Sequence, residues 1–182
     1  MNFRPTPLDG VWIIDQDRSS DDRGWFARTF CAEAFAARGL PTAFAQCGAS
    51  FNARRGTLRG LHWQVAPYEE AKLIRCVRGH VFDVAVDMRP NSDTFGLWAA
   101  TEMSDQNGRM IFVPEGFAHG FQSLVDNSEL SYQITAPYRT ALARGVRWDD
   151  PQIGIDWPIR NPILSPRDRA LPMLEQLGVL AC

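Results

Sequence analysis

Short runs of alternating apolar and polar residues occupy the chain from about Ala43 onward, and turn-forming residues separate them at short intervals. This pattern predicts strands at residues 57–64, 72–77, 80–88, 96–103, 109–113 and 129–135. Dipeptides such as Arg78-Gly79 and Asn107-Gly108 mark tight connections between them. Many short strands at such spacing indicate an antiparallel sandwich or barrel, so we expect a mainly β fold.

Helical signals are few and lie near the two ends of the chain. The run from Phe30 to Arg38 predicts one helix, which Gly39 and Pro41 should end. The segment Ser165-Pro-Arg-Asp168 resembles a helix start, with serine as the N-cap and proline at the first position. Between them, residues 146–158 are rich in tryptophan and proline, which predicts an irregular segment packed onto the β structure.

Length and composition limit the number of domains and the classes of partner that the protein can have. A chain of 182 residues with 45% hydrophobic residues fits one compact domain spanning 1–182. A net charge of −2 with scattered basic residues predicts no nucleic-acid partner. Neither a membrane-spanning run nor a secretory start is apparent, and the cysteines (Cys31, Cys47, Cys76 and Cys182) form no C-x-x-C pair. We therefore expect a cytoplasmic protein without membrane attachment and with reduced thiols.

The strand predicted at 80–88 carries both of its aspartates on the same face. Asp83 and Asp87 share one face, and the other face is almost wholly apolar. Alternation alone favours a solvated outer surface for the aspartates, and a polar hollow inside the fold is the alternative.

His62 shares a strand face with Gly60 and Gln64, whereas strict alternation turns Arg59 away from it. Glycine within a strand often marks a bulge that redirects its neighbours, so Gly60 could bring Arg59 back to the same side. Taken alone, His62 also fits a hydrogen-bonded core residue.

Three further polar residues have ordinary structural interpretations. Lys72 begins an apolar strand and could extend its ammonium group into water. Tyr132 shares a face with Leu130 and Ile134, which predicts a buried ring whose hydroxyl group needs a partner. Asp168 could be satisfied by the backbone amides of its own helix start.

Together these residue types supply the parts for proton transfer next to a carbonyl group. An imidazole can remove an acidified C–H proton near neutral pH, a carboxylate can orient it, and a phenol can return a proton to the opposite face. A cation near the developing enolate oxygen supplies electrostatic stabilisation.

Two segments have the spacing of a cupin-type metal site. They are Gly56-Thr-Leu-Arg-Gly-Leu-His62-Trp-Gln64 and Pro114-Glu-Gly-Phe-Ala-His119. In metal-binding barrels of that type a second histidine stands where this chain has Gln64. An amide in place of an imidazole makes a weak metal site at best, which leaves His62 and His119 for proton chemistry.

The sequence resembles the dTDP-4-dehydrorhamnose 3,5-epimerase family nearly from end to end. Besides those two segments, the resemblance is carried by Asp22-Arg-Gly-Trp-Phe26, Gln46, Ser50-Phe-Asn52, Lys72-Leu-Ile-Arg75, Val81-Phe-Asp-Val-Ala-Val-Asp87, Trp148-Asp-Asp-Pro151, Trp157-Pro158 and Leu164-Ser-Pro-Arg-Asp168. It implies an antiparallel jelly-roll (cupin-like) barrel that works as a homodimer without a cofactor or metal. The implied reaction epimerises C3 and C5 of dTDP-4-keto-6-deoxyglucose, giving dTDP-4-keto-L-rhamnose.

The resemblance also implies roles for individual residues. His62 would be the base, oriented by Asp168, with Tyr132 as the acid and Lys72 stabilising the enolate. The implied substrate-binding residues are Arg23, Arg28, Gln46, Arg59, Asp83, His119, Tyr138 and Arg167. Of these, His119 and Asp83 would line the sugar site, Arg23 and Arg59 would hold the diphosphate, and Tyr138 would stack on the base. Arg23 could come from the partner subunit.

The chain departs from the family pattern at the expected nucleotide end. Arg28 stands where many members have an acidic residue, Gly48 where asparagine is common, and Ala143 where glutamate is frequent. These departures concern nucleotide contact and leave the proton chemistry in place.

Other functions fit parts of the pattern. A relative that inverts only C3 or C5, or that isomerises a keto sugar, could carry the same residues. A metal-dependent cupin enzyme and a binder of nucleotide sugars without turnover are alternatives from different classes. Stoichiometric metal in the purified protein would favour the metal-dependent enzyme. A His62→Ala variant that keeps its affinity and loses nothing else would favour the binder.

Overall fold

The computed structural model of the protein describes residues 1–178, and within them the chain folds mainly into antiparallel strands. The larger sheet contains, in spatial order, β1 (Asn2–Pro5), β2 (Trp12–Asp15), β10 (Met110–Val113), β7 (Lys72–Arg78), β12 (Ser128–Ile134) and β5 (Gln46–Asn52). The second sheet contains β13 (Ala143–Gly145), β6 (Leu58–Gln64), β11 (Phe117–Ser123), β8 (His80–Asp87) and β9 (Trp98–Ser104). A separate hairpin pairs β3 (Ser19–Asp21) with β4 (Gly24–Phe26).

The helical segments are short. They are α1 (Ala32–Ala36), α2 (Pro166–Arg169) and the 3-10 turns Thr140–Leu142 and Leu174–Leu177. The mainly β, antiparallel cupin-like fold with a few short peripheral helices is therefore confirmed.

Apolar side chains from the facing sides of the two sheets form a central core. Ile74 and Leu130 of the larger sheet are fully buried together with Val81 and Phe121 of the second sheet. Removing side chains of this size from water contributes roughly 1.5–3 kcal/mol each. The same inter-sheet space, at one end, holds the polar pocket described below.

Two further apolar clusters cover the outer faces of the sheets. On the larger sheet, Phe35 of α1 packs with Phe3 and Phe112. On the second sheet, Trp157 packs edge-on against Phe82 and donates its indole N–H to the carbonyl oxygen of Trp148 at 2.7 Å. The predicted irregular segment at 146–158 therefore does pack onto the β structure.

The predicted strands are all present with shifted ends, but β1 to β5, β11 and β13 were not predicted. The helix predicted at 30–38 is only Ala32–Ala36, and its N-cap Cys31 makes no side-chain capping bond. Strand β11 was not predicted, since it is buried along its whole length and so shows no alternation. Strands β1 to β4 and β13 are three or four residues long, too short for a periodic signal.

No helix within residues 1–178 combines the length and apolar character that a bilayer crossing demands. Cys31, Cys47 and Cys76 form no disulfide with one another, and Cys182 lies outside the described residues.

A buried carboxylate anchors the turn that follows β8. Asp87 is fully buried, pairs with Arg89 at 2.6 Å, and accepts hydrogen bonds from Ser92 and Thr94 at 2.6 and 2.7 Å. Burial acts to raise the pKa of Asp87, but the hydrogen bonds from Arg89, Ser92 and Thr94 outweigh it and lower the pKa to about 2.

Asp87→Asn is expected to lower the free energy of unfolding by about 2 kcal/mol at pH 7. Because the folded pKa is below the unfolded one, the carboxylate stabilises the fold above pH ~4, and this contribution is lost as the pH falls toward about 2. Urea unfolding of wild type and variant at pH 7 and pH 3 tests this, with Asp93→Asn in the same turn as the exposed control. An equal difference at both pH values would contradict the linkage.

Candidate active site

A cavity of about 410 Å³ opens at one end of the space between the two sheets, and both sheets contribute to its walls. The lining residues are Gln46, Arg59, His62, Trp63, Gln64, Glu70, Lys72, His119, Phe121, Tyr132, Ile134, Tyr138, Ala143, Ser165, Arg167 and Asp168. Most of the site residues predicted from the sequence therefore meet in one place.

A bulge in β6 directs Arg59 and His62 to the same pocket. Opposite β11, His62 pairs with His119 and Arg59 pairs with Phe121, so β6 has one extra residue in this interval. Gly60 fits there because its φ is +124° and a Cβ atom would lie 2.7 Å from the Cα of Gly120. The proposed role of Gly60 as a bulge residue is confirmed.

His62 is paired with a buried carboxylate. Its Nε2 lies 2.6 Å from Oδ1 of Asp168, whose side chain is 6% exposed. Ser165 caps α2 by accepting the amide N–H of Asp168 at 3.0 Å, as the sequence predicted, and so fixes the residue that orients His62. Burial acts to raise the pKa of Asp168, but its hydrogen bond and attraction to His62 outweigh this effect and keep the pKa below its ordinary value.

A second histidine and carboxylate pair lies deeper in the pocket. Nε2 of His119 is 2.9 and 3.0 Å from the two oxygens of Asp83, which is fully buried. Burial raises the pKa of Asp83, although His119 and Lys72 act to lower it. The solvated outer surface favoured by alternation for Asp83 is wrong, because the other sheet covers that face.

Tyr132 approaches the pocket from the opposite wall. It lies on β12 of the larger sheet, whereas His62 lies on β6 of the second sheet. Its ring meets His119 edge-on at 6.0 Å, and its hydroxyl group is 3.5 Å from Oγ of Ser50. Burial raises the pKa of Tyr132 far above its ordinary value, so the phenol keeps its proton at neutral pH.

Lys72 directs its ammonium group into the fold. The side chain is 9% exposed, and Nζ donates to the carbonyl oxygen of His62 at 3.2 Å and lies 3.0 Å from Oε1 of Glu70. The interpretation with the ammonium group in water is therefore wrong. Glu70 was not predicted as a site residue, and its only sequence signal was its position two residues before Lys72.

Two guanidinium groups supply further positive charge along the pocket. Nε of Arg59 donates to Oδ1 of Asn52 at 2.8 Å, and its Nη2 donates to the carbonyl oxygen of Phe51 at 3.1 Å. These contacts hold Arg59 in one orientation. Arg167 lines the pocket beside Asp168 on α2.

Gln64, at the position of a metal ligand in the cupin motif, ties two loops together at the pocket wall. Its side-chain amide donates to the carbonyl oxygens of Tyr68 at 3.0 Å and Pro137 at 3.3 Å, and accepts the N–H of Arg139 at 2.5 Å. With these contacts the amide is committed to backbone groups. Within residues 1–178, no group of three or more His, Cys, Asp or Glu side chains lies close enough together to hold a metal ion.

The loop that Gln64 fixes carries Tyr138, a residue that is 48% exposed and lines the pocket. Its backbone N–H donates to Oε1 of Gln46 at 3.3 Å. Gln46, Gln64 and Tyr138 therefore form one connected region beside the pocket, well suited to contact a planar group.

Arg23 and Arg28 do not line the pocket of the chain that carries them. Arg23 lies in the turn of the β3–β4 hairpin, with its side chain 90% exposed and paired with Asp21 at 2.6 Å. Arg28 follows the hairpin and is also exposed. Both residues therefore lie outside the pocket of their own chain, because the hairpin is a separate element that the two sheets do not enclose, and their role in substrate binding stays a prediction.

The departures from the family pattern also have defined places. Gly48 lies opposite Tyr132 in the pairing of β5 with β12, and a Cβ atom added at Gly48 would have no heavy atom of another segment within 4 Å. Ala143 pairs with Gln64 and lines the pocket.

The assembled groups can carry out proton transfer at a carbon atom. A histidine held by a buried carboxylate can accept a proton, and a protonated phenol on the facing sheet can donate one. Lys72 can stabilise negative charge between them.

Comparisons with known proteins agree with this chemistry. The model of the family described as dTDP-4-dehydrorhamnose 3,5-epimerase matches residues 5–176. The dTDP-4-dehydrorhamnose 3,5-epimerase of Sinorhizobium fredii is 42% identical over 180 residues, covering 98% of this chain and 92% of the relative. The dTDP-4-dehydrorhamnose 3-epimerase of Streptomyces niveus is 40% identical, covering 97% of this chain and 85% of the relative.

Among solved structures, the dTDP-6-deoxy-D-glucose-3,5-epimerase of Legionella pneumophila, solved in complex with dTDP-4-keto-L-rhamnose, superposes with a TM-score of 0.90. Its sequence identity is 37%, and the superposition covers 96% of this chain and 93% of that one.

Proposed function

The chain belongs to the dTDP-4-dehydrorhamnose 3,5-epimerase family, and we propose that it epimerises C3 and C5 of dTDP-4-keto-6-deoxyglucose to give dTDP-4-keto-L-rhamnose. One observation carries the proposal: a carboxylate-bound imidazole and a protonated phenol line one pocket from opposite sheets. Such a pair can remove a proton from one face of a sugar ring and return one to the other face.

In the proposed reaction, His62 removes the proton from a carbon next to the C4 ketone. Its Nε2 is hydrogen-bonded to Asp168, which leaves Nδ1 as the basic nitrogen. The electron pair of the broken C–H bond moves to the C4 oxygen, where the Lys72 ammonium group stabilises the enolate. Tyr132 then protonates the carbon from the opposite face, and both groups exchange protons with water before the second centre reacts.

The rest of the pocket would hold the nucleotide-sugar substrate. Arg59 and Arg167 are suited to the diphosphate because a guanidinium group can bind two phosphate oxygens at once. His119 would contact the sugar, Asp83 would hold the His119 ring from behind the pocket wall, and Tyr138 with Gln46 would contact the base. We propose that residues 1–182 work as one jelly-roll domain, in the cytoplasm and without a cofactor.

The test is incubation with dTDP-4-keto-6-deoxyglucose in deuterated water, followed by NMR location of the label. Deuterium at both C3 and C5 of the product is expected. Label at one carbon would support a single-centre epimerase instead, which the similarity to the Streptomyces niveus protein makes the second candidate. Binding without label would remove both enzyme functions. Elemental analysis of the active protein tests the alternative of a metal-dependent enzyme.

We further propose a homodimer in which Arg23 and Arg28 reach the partner's pocket. The hairpin exposes 53% of Trp25 and 71% of Phe26, and the edge strand β5 exposes 50% of Phe51. Exposed aromatic residues and an open sheet edge are features that a second subunit commonly covers.

A complementation experiment tests this arrangement. An Arg23→Ala subunit and a His62→Ala subunit, each expected to lose most of its activity alone, are co-expressed. Random pairing makes half of the dimers mixed. If Arg23 acts on the partner's pocket, each mixed dimer contains one intact site out of two, so about a quarter of wild-type activity should return. Activity no higher than that of either parent, in a preparation shown to contain mixed dimers, would place Arg23 outside the partner's site.

A further inference from the structure

Glu70 and Lys72 form an ion pair inside the pocket wall. Oε1 of Glu70 lies 3.0 Å from Nζ of Lys72, and the two side chains are only 8% and 9% exposed. Both residues line the pocket with His62 and Tyr132. Residues two apart along an extended chain point to the same side, which brings this carboxylate next to this ammonium group.

The pair solves an electrostatic problem that Lys72 alone would create. A single ammonium group held away from water costs several kcal/mol, and a nearby carboxylate offsets much of that cost. The other carboxylate near Lys72, Asp83, is already bonded through both oxygens to His119. Glu70 is therefore the counter-ion that lies in direct contact with Nζ.

The pair also fixes the position of a flexible side chain. Lysine has four rotatable bonds and loses up to about 2 kcal/mol of rotamer entropy when one position is imposed. Here Nζ is held at two points, by Oε1 of Glu70 and by the carbonyl oxygen of His62 at 3.2 Å. The second contact joins the ammonium group to the backbone of the proposed base itself.

We infer that Glu70 is a positioning residue that holds the Lys72 ammonium group where the enolate oxygen develops. The inference rests on the proposed function. Glu70 contacts Lys72 rather than the reacting atoms, so its effect on turnover must pass through Lys72. A glutamine at position 70 keeps an oxygen contact to Nζ but removes the countercharge, so it should still position the ammonium group at a cost in stability, whereas an alanine removes both the contact and the charge.

The first test compares Glu70→Ala and Glu70→Gln, with Glu69→Gln as a matched control at a neighbouring carboxylate outside this pocket. Glu70→Ala is expected to lower kcat by about 10-fold or more, because displacement of a catalytic group by about 1 Å can cost that much. KM should stay within about 3-fold, and Glu70→Gln should retain kcat within about 3-fold of wild type. Wild-type kcat in Glu70→Ala, or a loss confined to KM and thermal stability, would overturn the inference.

The second test is a double-mutant cycle with Lys72→Met. Because these variants react slowly, their rates are measured by deuterium incorporation from the solvent. If Glu70 acts through Lys72, the Glu70→Ala loss should shrink to within about 2-fold in the Lys72→Met background. A loss that persists undiminished there would overturn the inference. Should Glu70→Ala fail to fold, Glu70→Asp withdraws the carboxylate by one methylene group and should show a smaller loss with the same dependence on Lys72.

The two hypotheses fail in different ways. A wild-type protein that incorporates no deuterium into the keto sugar removes the proposed function. An active wild type whose Glu70→Ala variant turns over equally well removes only the role of Glu70.

Discussion

Replacing His62 with alanine is expected to lower kcat for the keto sugar by about 100-fold or more, because the variant lacks the base that removes the C–H proton. Arg59, Arg167 and Tyr138 stay in place, so dissociation constants for a dTDP-sugar should remain within about 3-fold of wild type. Deuterium incorporation measures the first quantity and isothermal titration calorimetry the second.

The substitution also leaves the Asp168 carboxylate without its imidazole partner. A buried acceptor that loses its partner costs roughly 1–3 kcal/mol of stability, so thermal unfolding must accompany the kinetics. His62→Gln places a side-chain N–H donor near the position of Nε2, where it can bond to Asp168 without supplying a base, and the same loss of kcat is expected. This second variant separates loss of chemistry from loss of folding.

His80 provides a matched control, because it also pairs with a carboxylate. Its Nε2 lies 2.9 Å from Glu102, in a partly exposed pair outside the pocket. His80→Ala should leave kcat within about 2-fold, since surface pairs of this kind contribute at most about 1 kcal/mol. Equal kinetic losses at His62 and His80 would mean that the assay reports general damage, and near-normal turnover by His62→Ala would end the assignment of the base.

The alternation of polar and apolar residues at 80–88 correctly predicted strand β8, but it did not predict which other elements cover the polar face of that strand. Asp83 was correctly placed on one face with Asp87, yet the face was interpreted as solvated. Alternation reports the difference between two faces of one strand, whereas burial depends on which other elements pack there. The family resemblance placed Asp83 and His119 together at the sugar site, although local periodicity did not detect the strand that carries His119.

The position of Arg59 shows the opposite case, in which a local signal was sufficient. Gly60 within a strand indicated a bulge, and the observed register shift brings Arg59 and His62 to the same pocket. The close approach of Gly120 explains why glycine is required, since a Cβ atom at Gly60 would overlap the backbone of β11.

Glu70 and Arg23 mark two limits of the sequence. Glu70 is the second residue of a Glu-Glu pair just before β7, and two adjacent glutamates usually indicate a solvent-exposed segment. Only the inward direction of the Lys72 side chain shows that Glu70 is a pocket residue. Arg23 matched a family motif, but a motif carries no information on which subunit's pocket it serves. The contact of Glu70 joins it to a strand that its own segment does not reveal, and the proposed role of Arg23 requires a second subunit.

Replacing Tyr132 with phenylalanine is expected to lower the rate of product formation by about 100-fold, because the variant lacks the group that protonates the far face. The aromatic ring is retained, so its packing against His119 should persist. His62 can still remove a proton and return a solvent deuteron to the same face. The label should therefore accumulate in recovered substrate of unchanged configuration, faster than inverted product appears.

This ratio of exchange to inversion distinguishes an acid on the opposite wall from a residue that merely fills space. A packing defect would slow exchange and inversion together, whereas loss of the phenol slows inversion alone. Tyr68→Phe is the control, because that tyrosine lies outside the pocket and stacks under Arg139, with its ring centre 4.9 Å from the guanidinium carbon. It should leave both rates unchanged.

The result depends on Tyr132 being protonated before the reaction starts. Burial raises the pKa of its phenol, so the proton-donating form is present throughout the neutral range, and Ser50 is the hydroxyl group nearest to it at 3.5 Å. If Tyr132→Phe yields inverted product at close to the wild-type rate, another group must deliver the proton. In that case the facing arrangement of His62 and Tyr132 would no longer account for epimerisation.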